Sequence, residues 1–211
     1  MDRTIQIDTF SRLTRVSRET ITSLKKYENI LINANKKLNL VGNSTLENIW
    51  TRHFLDSAQV IDFIDENDKT LVDIGSGAGF PGLVMAIVLK DRKISLKIKL
   101  IEKSPKKVIF LKNLIKELNL NVEVMNQNIL KEPIKFFDDV IIARAFKPLN
   151  ITLELIHSKA QNWKKFFIFL GKTGKSELIQ ASKIWDIEYK QWVSVTSDDS
   201  LVIEINKLKK K

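Results

Sequence analysis

The chain contains no cysteine, which excludes disulfides, a thiolate nucleophile and thiolate metal ligands. Its two histidines, His53 and His157, stand far apart, so a zinc site is not expected. No apolar run approaches the roughly 18–20 residues that a bilayer-spanning helix needs. The opening MDRTIQIDTF lacks the apolar stretch of a secretory signal. These absences predict a soluble, cytoplasmic protein with no metal and no membrane partner. The 211 residues, 44% of them hydrophobic, suffice for one substantial core.

Glycine is also scarce, with seven residues, yet four of them fall in the decapeptide DIGSGAGFPG from Asp73 to Gly82. A short apolar run precedes it and Leu83 to Leu89 follow, which reads as strand, glycine turn and helix. Such a turn brings backbone close to a ligand, and the helix behind it points free N–H groups at the occupant. Gly77, Gly79 and Gly82 fit the dinucleotide spacing G-x-G-x-x-G. Asp73 argues against a pyrophosphate there, because its carboxylate would repel one. It would instead attract a cationic amino group, directly or through water. S-adenosylmethionine carries an amino group and a sulfonium charge and no phosphate, so these residues favour it over NAD. Glu102, closing a second apolar run, is placed to accept both ribose hydroxyls, a role common to both cofactors. Phe80 offers an apolar wall.

Charge is strongly one-sided. The formal net charge is +10, and residues 90–116 carry ten Lys/Arg against Asp91 and Glu102. Clustered lysines bind polyanions through counterion release. The alternative is a solvated lysine surface in a chain rich in Asn and Ile, so charge alone leaves the partner open. Gly171-Lys-Thr-Gly174-Lys175-Ser176 is not a P-loop, since two residues rather than four separate its glycines.

Apolar positions from Leu13 to Leu31 predict a helix over 10–36, and Ser44 or Thr45 is placed to cap another running to about Ile64. Strands are expected near 70–74, 96–102, 122–126, 138–144 and 164–170, and helices over 82–90, 105–119, 149–160 and 175–184. Two β-rich runs, Ile187 to Val195 and Leu201 to Ile205, read as a terminal hairpin joined by Thr196 to Ser200. The fold class is α/β: a doubly wound, Rossmann-like class I methyltransferase sheet with an antiparallel last strand and an N-terminal helical extension. The expected division is residues 1–66 for the extension and 67–211 for the S-adenosylmethionine-dependent domain.

Several separated motifs in order carry a family resemblance: Asn39-Leu40, Arg52-His53-Phe-Leu-Asp56-Ser57, Asp73 to Gly82, Lys106-Lys107-Val-Ile-Phe110-Leu111 and Ala143-Arg144-Ala145-Phe146. From Asn39 to about Ile205 the chain resembles the bacterial small-subunit ribosomal RNA guanine-N7 methyltransferases, once called glucose-inhibited division protein B. The resemblance implies methyl transfer from S-adenosylmethionine to N7 of one guanine in 16S ribosomal RNA, with the small ribosomal subunit as partner; the sequence leaves the oligomeric state open, a monomer being the expectation. A catalytically silent RNA-binding protein that keeps the fold is the alternative. Guanine N7 has a lone pair and no proton, so its methylation needs no general base. The lack of an Asp/Asn-Pro-Pro-aromatic tetrad argues against exocyclic-amine methylation, and the lack of cysteine against carbon-5 methylation of pyrimidines.

The resemblance also implies roles. Gly75, Gly77 and Phe80, with Asp73 and Glu102, belong to the cofactor site, and Ile129 and Leu130 to the loop against adenine. Arg52 and His53 become candidates for holding the target guanine or its phosphate, with Asp56 orienting them; helical spacing would put the three on one face. Arg144, at the carboxyl edge of the fourth strand, is placed to pair with the cofactor carboxylate or an RNA phosphate. Lys103, Lys106, Lys107 and Lys172 are the candidate RNA contacts. The chain departs from the family in three places: Asn128-Ile129-Leu130 where Arg-x-Glu is common, Ala143 for the usual serine, and Leu170-Gly171-Lys172 for the Lys-Gly pair. The first implies that the adenine loop has no carboxylate contact. The four tryptophans are expected in the core, and His157 has no assigned role.

Overall fold

The computed structural model describes residues 2–211. Helix α1 (Arg3–Thr14) starts at Asp2, whose carboxylate accepts from the Thr4 and Ile5 amides. The chain then turns at Arg15, at a φ of 54°, and Ser17 caps α2 (Arg18–Leu38) through Thr20 N–H. The stretch 10–36 therefore belongs to two helices and not one. The interruption lies at Arg15–Ser17, where a hydroxyl competes for the next helix's free amides.

The second expected helix is also divided. Helix α3 (Asn43–Leu46) is a single turn, Trp50–Leu55 winds as a π-helix, and α4 (Asp56–Ala58) and a 3-10 turn (Ile61–Phe63) follow. Gly42, with no side-chain cap, precedes α3 in place of a capping box. The i→i+5 winding turns less per residue than an α-helix. Adjacent pairs Ile49-Trp50 and Phe54-Leu55 thus both reach the core.

The sheet contains β1 (Thr70–Ile74), β2 (Lys97–Glu102), β3 (Val122–Asn126), β4 (Val140–Arg144), β5 (Lys165–Leu170), β6 (Trp185–Ser194) and β7 (Ser197–Lys210), in the order β3-β2-β1-β4-β5-β7-β6. β1 to β5 are parallel, while β7 runs antiparallel to β5 and β6. The class I methyltransferase architecture expected from the pattern is the one observed. The terminal hairpin differs in its turn. Ser194 pairs with Ser197, so only Val195 and Thr196 bridge the strands. Residues 197–200, polar enough to read as loop, are already β7 on a half-solvated face.

Helices α5 (Gly82–Asp91) and α6 (Pro105–Glu117) cover one face of the sheet, and α7 (Leu149–Lys159) and α8 (Gly174–Ala181) the other. α5 is buried from Gly82 to Leu89 because α2 lies against its outer side, which explains its unbroken apolar sequence. Phe10, Leu24, Tyr27 and Leu31 share one core with Leu83, Val84 and Leu111. Trp50 and Trp185 are buried and Trp163 and Trp192 half-buried. Among the described residues no helix is long and apolar enough to cross a membrane.

Candidate active site

The sheet's order reverses between β2-β1 and β4, and the crevice at the carboxyl ends of these strands is where a doubly wound fold binds ligands. The glycine turn leaves β1 with Gly75 and Ser76 both donating to the Ile101 carbonyl of β2. Gly75 has a φ of +75°, and a Cβ there would come within 2.3 Å of the Phe146 ring, so no other residue fits.

A cavity of about 400 Å³ opens above this turn. That is the size range of small-molecule sites. Of the residues singled out from sequence, His53, Gly75, Gly77, Phe80, Glu102, Lys103, Lys107, Ile129, Leu130 and Arg144 line it. Arg52, Asp56, Asp73, Lys106 and Lys172 do not. Thr45, Gln127 and Phe146 also line the cavity, although the sequence marks Thr45 only as a possible cap and Phe146 only as part of a motif.

Glu102 has both carboxylate oxygens fixed. One accepts from Gly77 N–H at 3.0 Å and the other from Ser104 N–H at 2.8 Å. Two backbone donors fix the carboxylate's orientation at the cavity wall. Asp73 differs from the direct contact considered from sequence. It is fully buried below the turn, and its Oδ2 accepts from Gly82 N–H at 3.0 Å, at the start of α5. Burial pushes its pKa up to about 7 against the pull of that bond and of Ser76, and among the described residues its other oxygen has no hydrogen-bond partner.

The loop after β3 carries Gln127, Ile129 and Leu130. Asn128 N–H donates to the Glu132 carboxylate at 2.7 Å, and Lys159 donates to the carbonyls of Ile129 and Glu132. Glu132 thus supplies a carboxylate contact that the departure at Asn128-Ile129-Leu130 had implied to be missing. Ile129 turns inward and Leu130 is partly exposed at the rim. Gln127 lines the cavity, while its Oε1 is buried and has no hydrogen-bond partner among the described residues.

On the opposite wall Phe80 lies between Tyr27 and His53, each ring inclined 13° to it, with the Arg144 guanidinium 5.0 Å from its centroid. Arg144 donates from Nη1 to Asp56 Oδ2 at 2.8 Å and to the Arg52 carbonyl, and from Nη2 to His53 Nδ1 at 2.9 Å. An arginine has no acceptor, so Nδ1 is the unprotonated nitrogen. Nε2–H then donates to Thr45 Oγ1 at 2.8 Å, and Thr45 passes its own hydrogen to the Gly42 carbonyl. Burial, with Arg144 and Arg52 adding positive charge, lowers the His53 pKa to about 3. The imidazole is neutral at any physiological pH.

These contacts revise two placements. The Arg52 and Asp56 side chains do not point to one face: the π-winding leaves the Arg52 side chain in solvent and gives the Asp56 carboxylate to Arg144. The Arg144 charge is already answered by Asp56, so it lines the wall as a paired group. The basic residues also separate. Lys103 and Lys107 stand on the cavity rim and Lys106 faces outward beside them. Lys172 lies past β5, 84% exposed and 3.6 Å from Asp199. His157 is exposed against the Trp185 ring.

Residues 20–202 match the family model described as GidB, rRNA small subunit methyltransferase G. The ribosomal RNA small subunit methyltransferase G of Pelagibacter ubique is 40% identical over 198 residues, covering 93% of this chain and 92% of that one. Its counterpart in Rickettsia felis is 35% identical over 195 residues, covering 92% and 97%. Among solved structures, a SAM-dependent methyltransferase from Aquifex aeolicus shares the fold at a TM-score of 0.56 and 19% identity, over 80% of this chain and 94% of that one. With β1 to β6 and every residue of the cavity wall inside the matched span, the chain belongs to the rRNA small subunit methyltransferase G family.

Proposed function

We propose that the protein transfers a methyl group from S-adenosylmethionine to N7 of one guanine in 16S ribosomal RNA. The observation that carries this reading is Glu102, locked by two backbone donors at the crevice wall as an acceptor pair for a ribose diol. The rest of the cavity fits the same cofactor. Ile129 offers an apolar face to the adenine ring, and Gly75 and Gly77 leave room beside the turn. Asp73 supports the turn from below by anchoring the first amide of α5.

When bound, S-adenosylmethionine supplies an electrophilic methyl on a positively charged sulfur. The chain's part is alignment and exclusion of water. Phe80, Phe146 and Ile129 wall the cavity with apolar surface, while Arg144 and His53 hold its far side rigid. No residue need remove a proton, because N7 has none. His53 suits that chemistry as a neutral hydrogen-bonding wall. Lys103 and Lys107 at the rim, with Lys106 beside them, are assigned to RNA phosphate, and Lys172 to a more distant contact. Arg52, exposed and next to the cavity-lining His53 in sequence, joins them as a phosphate contact. The enzyme is assigned to the cytoplasm as a monomer, with residues 1–66 as the helical extension and 67–211 as the cofactor domain. Nothing in the cavity favours a silent relative.

The test is transfer of labelled methyl from S-adenosylmethionine to small ribosomal subunits lacking 7-methylguanosine, with the product nucleoside identified by mass spectrometry. Stoichiometric 7-methylguanosine at one site is expected. Cofactor binding with no product, on subunits and on naked RNA alike, would instead support the silent RNA-binding alternative.

A further inference from the structure

The turn of the terminal hairpin reaches the cavity wall from behind. Asp56 Oδ1 accepts from three donors: Gln59 Nε2 at 2.9 Å, Ser194 Oγ at 3.1 Å and Thr196 Oγ1 at 3.1 Å. Thr196 N–H donates to Ser194 Oγ, and Val195 N–H donates to Gln59 Oε1. The Asp56 oxygen that faces Arg144 is thus left for the guanidinium alone, at 2.8 Å. None of Asp56, Gln59, Ser194 and Thr196 lines the cavity, whereas Arg144, His53 and Thr45 do.

We infer that Ser194 and Thr196 are positioning residues for the transfer reaction, acting through Asp56 and Arg144 to hold His53 in one orientation against Thr45. Each step follows from donor and acceptor chemistry. The two hydroxyls keep the Asp56 carboxylate from rotating about its last torsion, which is otherwise broad. The fixed carboxylate sets the plane of the guanidinium fork, whose Nη2 can then reach only the unprotonated Nδ1 of His53. That bond selects the Nε2–H tautomer, and Nε2–H meets Thr45. The arrangement joins the first turn of α3 with its Gly42 cap, the π-turn, the end of β4 and the hairpin turn into one hydrogen-bonded arc beside Phe80. It explains why hydroxyls flank the exposed Val195 on both sides, Ser194 at the end of β6 and Thr196 in the turn, both donating to Asp56.

This inference rests on the methyl-transfer reading for its kinetic arm only. The spectroscopic arm uses the ligand-free protein and long-range 1H–15N spectra of the imidazole nitrogens. With only two histidines in the chain, H157Q assigns the His53 signals at once. Wild type is expected to show His53 as a single Nε2–H tautomer. S194A/T196V, which removes both hydroxyls while keeping volume, should add the Nδ1–H form. It should also lower kcat about tenfold or more while leaving the KM for S-adenosylmethionine and the thermal midpoint unchanged. S194T/T196S, which keeps both hydroxyls, should restore both readouts. An unchanged tautomer in S194A/T196V overturns the inference. So does a loss of cofactor binding in step with the thermal midpoint, which marks a merely structural turn. A tautomer shift in a protein that methylates no ribosomal substrate would leave the positioning arc standing and remove the proposed reaction.

Discussion

Asp73 and Glu102 end neighbouring strands, yet their surroundings give them opposite tasks. Glu102 accepts from two amides and lines the cavity, whereas Asp73 accepts from one amide and is fully buried. The cost of charging Asp73 falls on the folded state. Its folded pKa of about 7 lies above the unfolded value near 3.8, so below pH 4 the group is neutral in both states and costs nothing. Between about pH 4 and 7 the unfolded chain ionises first, and stability falls as pH rises; above 7 the penalty is constant. Asp73→Asn should therefore gain on wild type progressively across that window, by a few kcal/mol at its upper end. Urea midpoints of the ligand-free proteins at pH 4.5 and 7.5 check this, and an equal wild-type-to-variant difference at the two values would refute it. Spacing alone marked both carboxylates as special. It did not tell which one reaches the ligand, because that depends on side-chain direction at the strand ends.

At the scale of elements, the π-turn at Trp50–Leu55 separates sequence expectation from structure most clearly. Residues 52, 53 and 56 have ordinary helical spacing, but wider winding turns Arg52 to solvent, His53 to Phe80 and Asp56 to the hairpin. Helix α6 shows the reverse case. Its apolar positions Val108, Phe110, Leu111, Leu114 and Ile115 face the core as a 3.6-residue period demands, and its first turn therefore presents Lys106 and Lys107 outward at the cavity mouth. Neither lysine has an acidic partner within ion-pair distance among the described residues. K106Q/K107Q should weaken binding to 16S ribosomal RNA and reduce the slope of log K against log salt by about 1 for each phosphate no longer neutralised. Filter binding over a salt series measures the slope. The same slope in wild type and variant would mean that these lysines only face water.

For the whole molecule, the boundary near residue 66 is one of architecture, helices before it and sheet after it. The core does not respect it: Tyr27 stacks on Phe80 and donates at 2.7 Å to the Ala78 carbonyl of the glycine turn. Trp50 meets both Phe10 and Phe54, and Phe54 in turn packs on Phe80. A helical segment whose apolar face is the lid of the sheet's core has no separate core to keep it folded. Urea unfolding followed by tryptophan fluorescence and by far-ultraviolet circular dichroism should give coincident single transitions. Phe54→Ala should lower both by the same amount, about 3–5 kcal/mol. Two resolved transitions would show that residues 1–66 and 67–211 fold independently.

The sequence by itself determined the alternation of strands and helices, the glycine turn with its two carboxylates, the antiparallel end of the sheet and the family. All of these rest on local periodicity, on glycine's backbone freedom and on motifs that are contiguous in the chain. Tertiary structure decided the break in the first helix, the π-winding, the two-residue hairpin turn, the burial of Asp73 and the arc from Thr45 through His53, Arg144 and Asp56 to Ser194. The hydrogen bonds of that arc close over as many as 140 positions of sequence. No local pattern encodes such a pairing, because which polar groups meet is settled only when the two ends of the chain pack on the same face of the sheet.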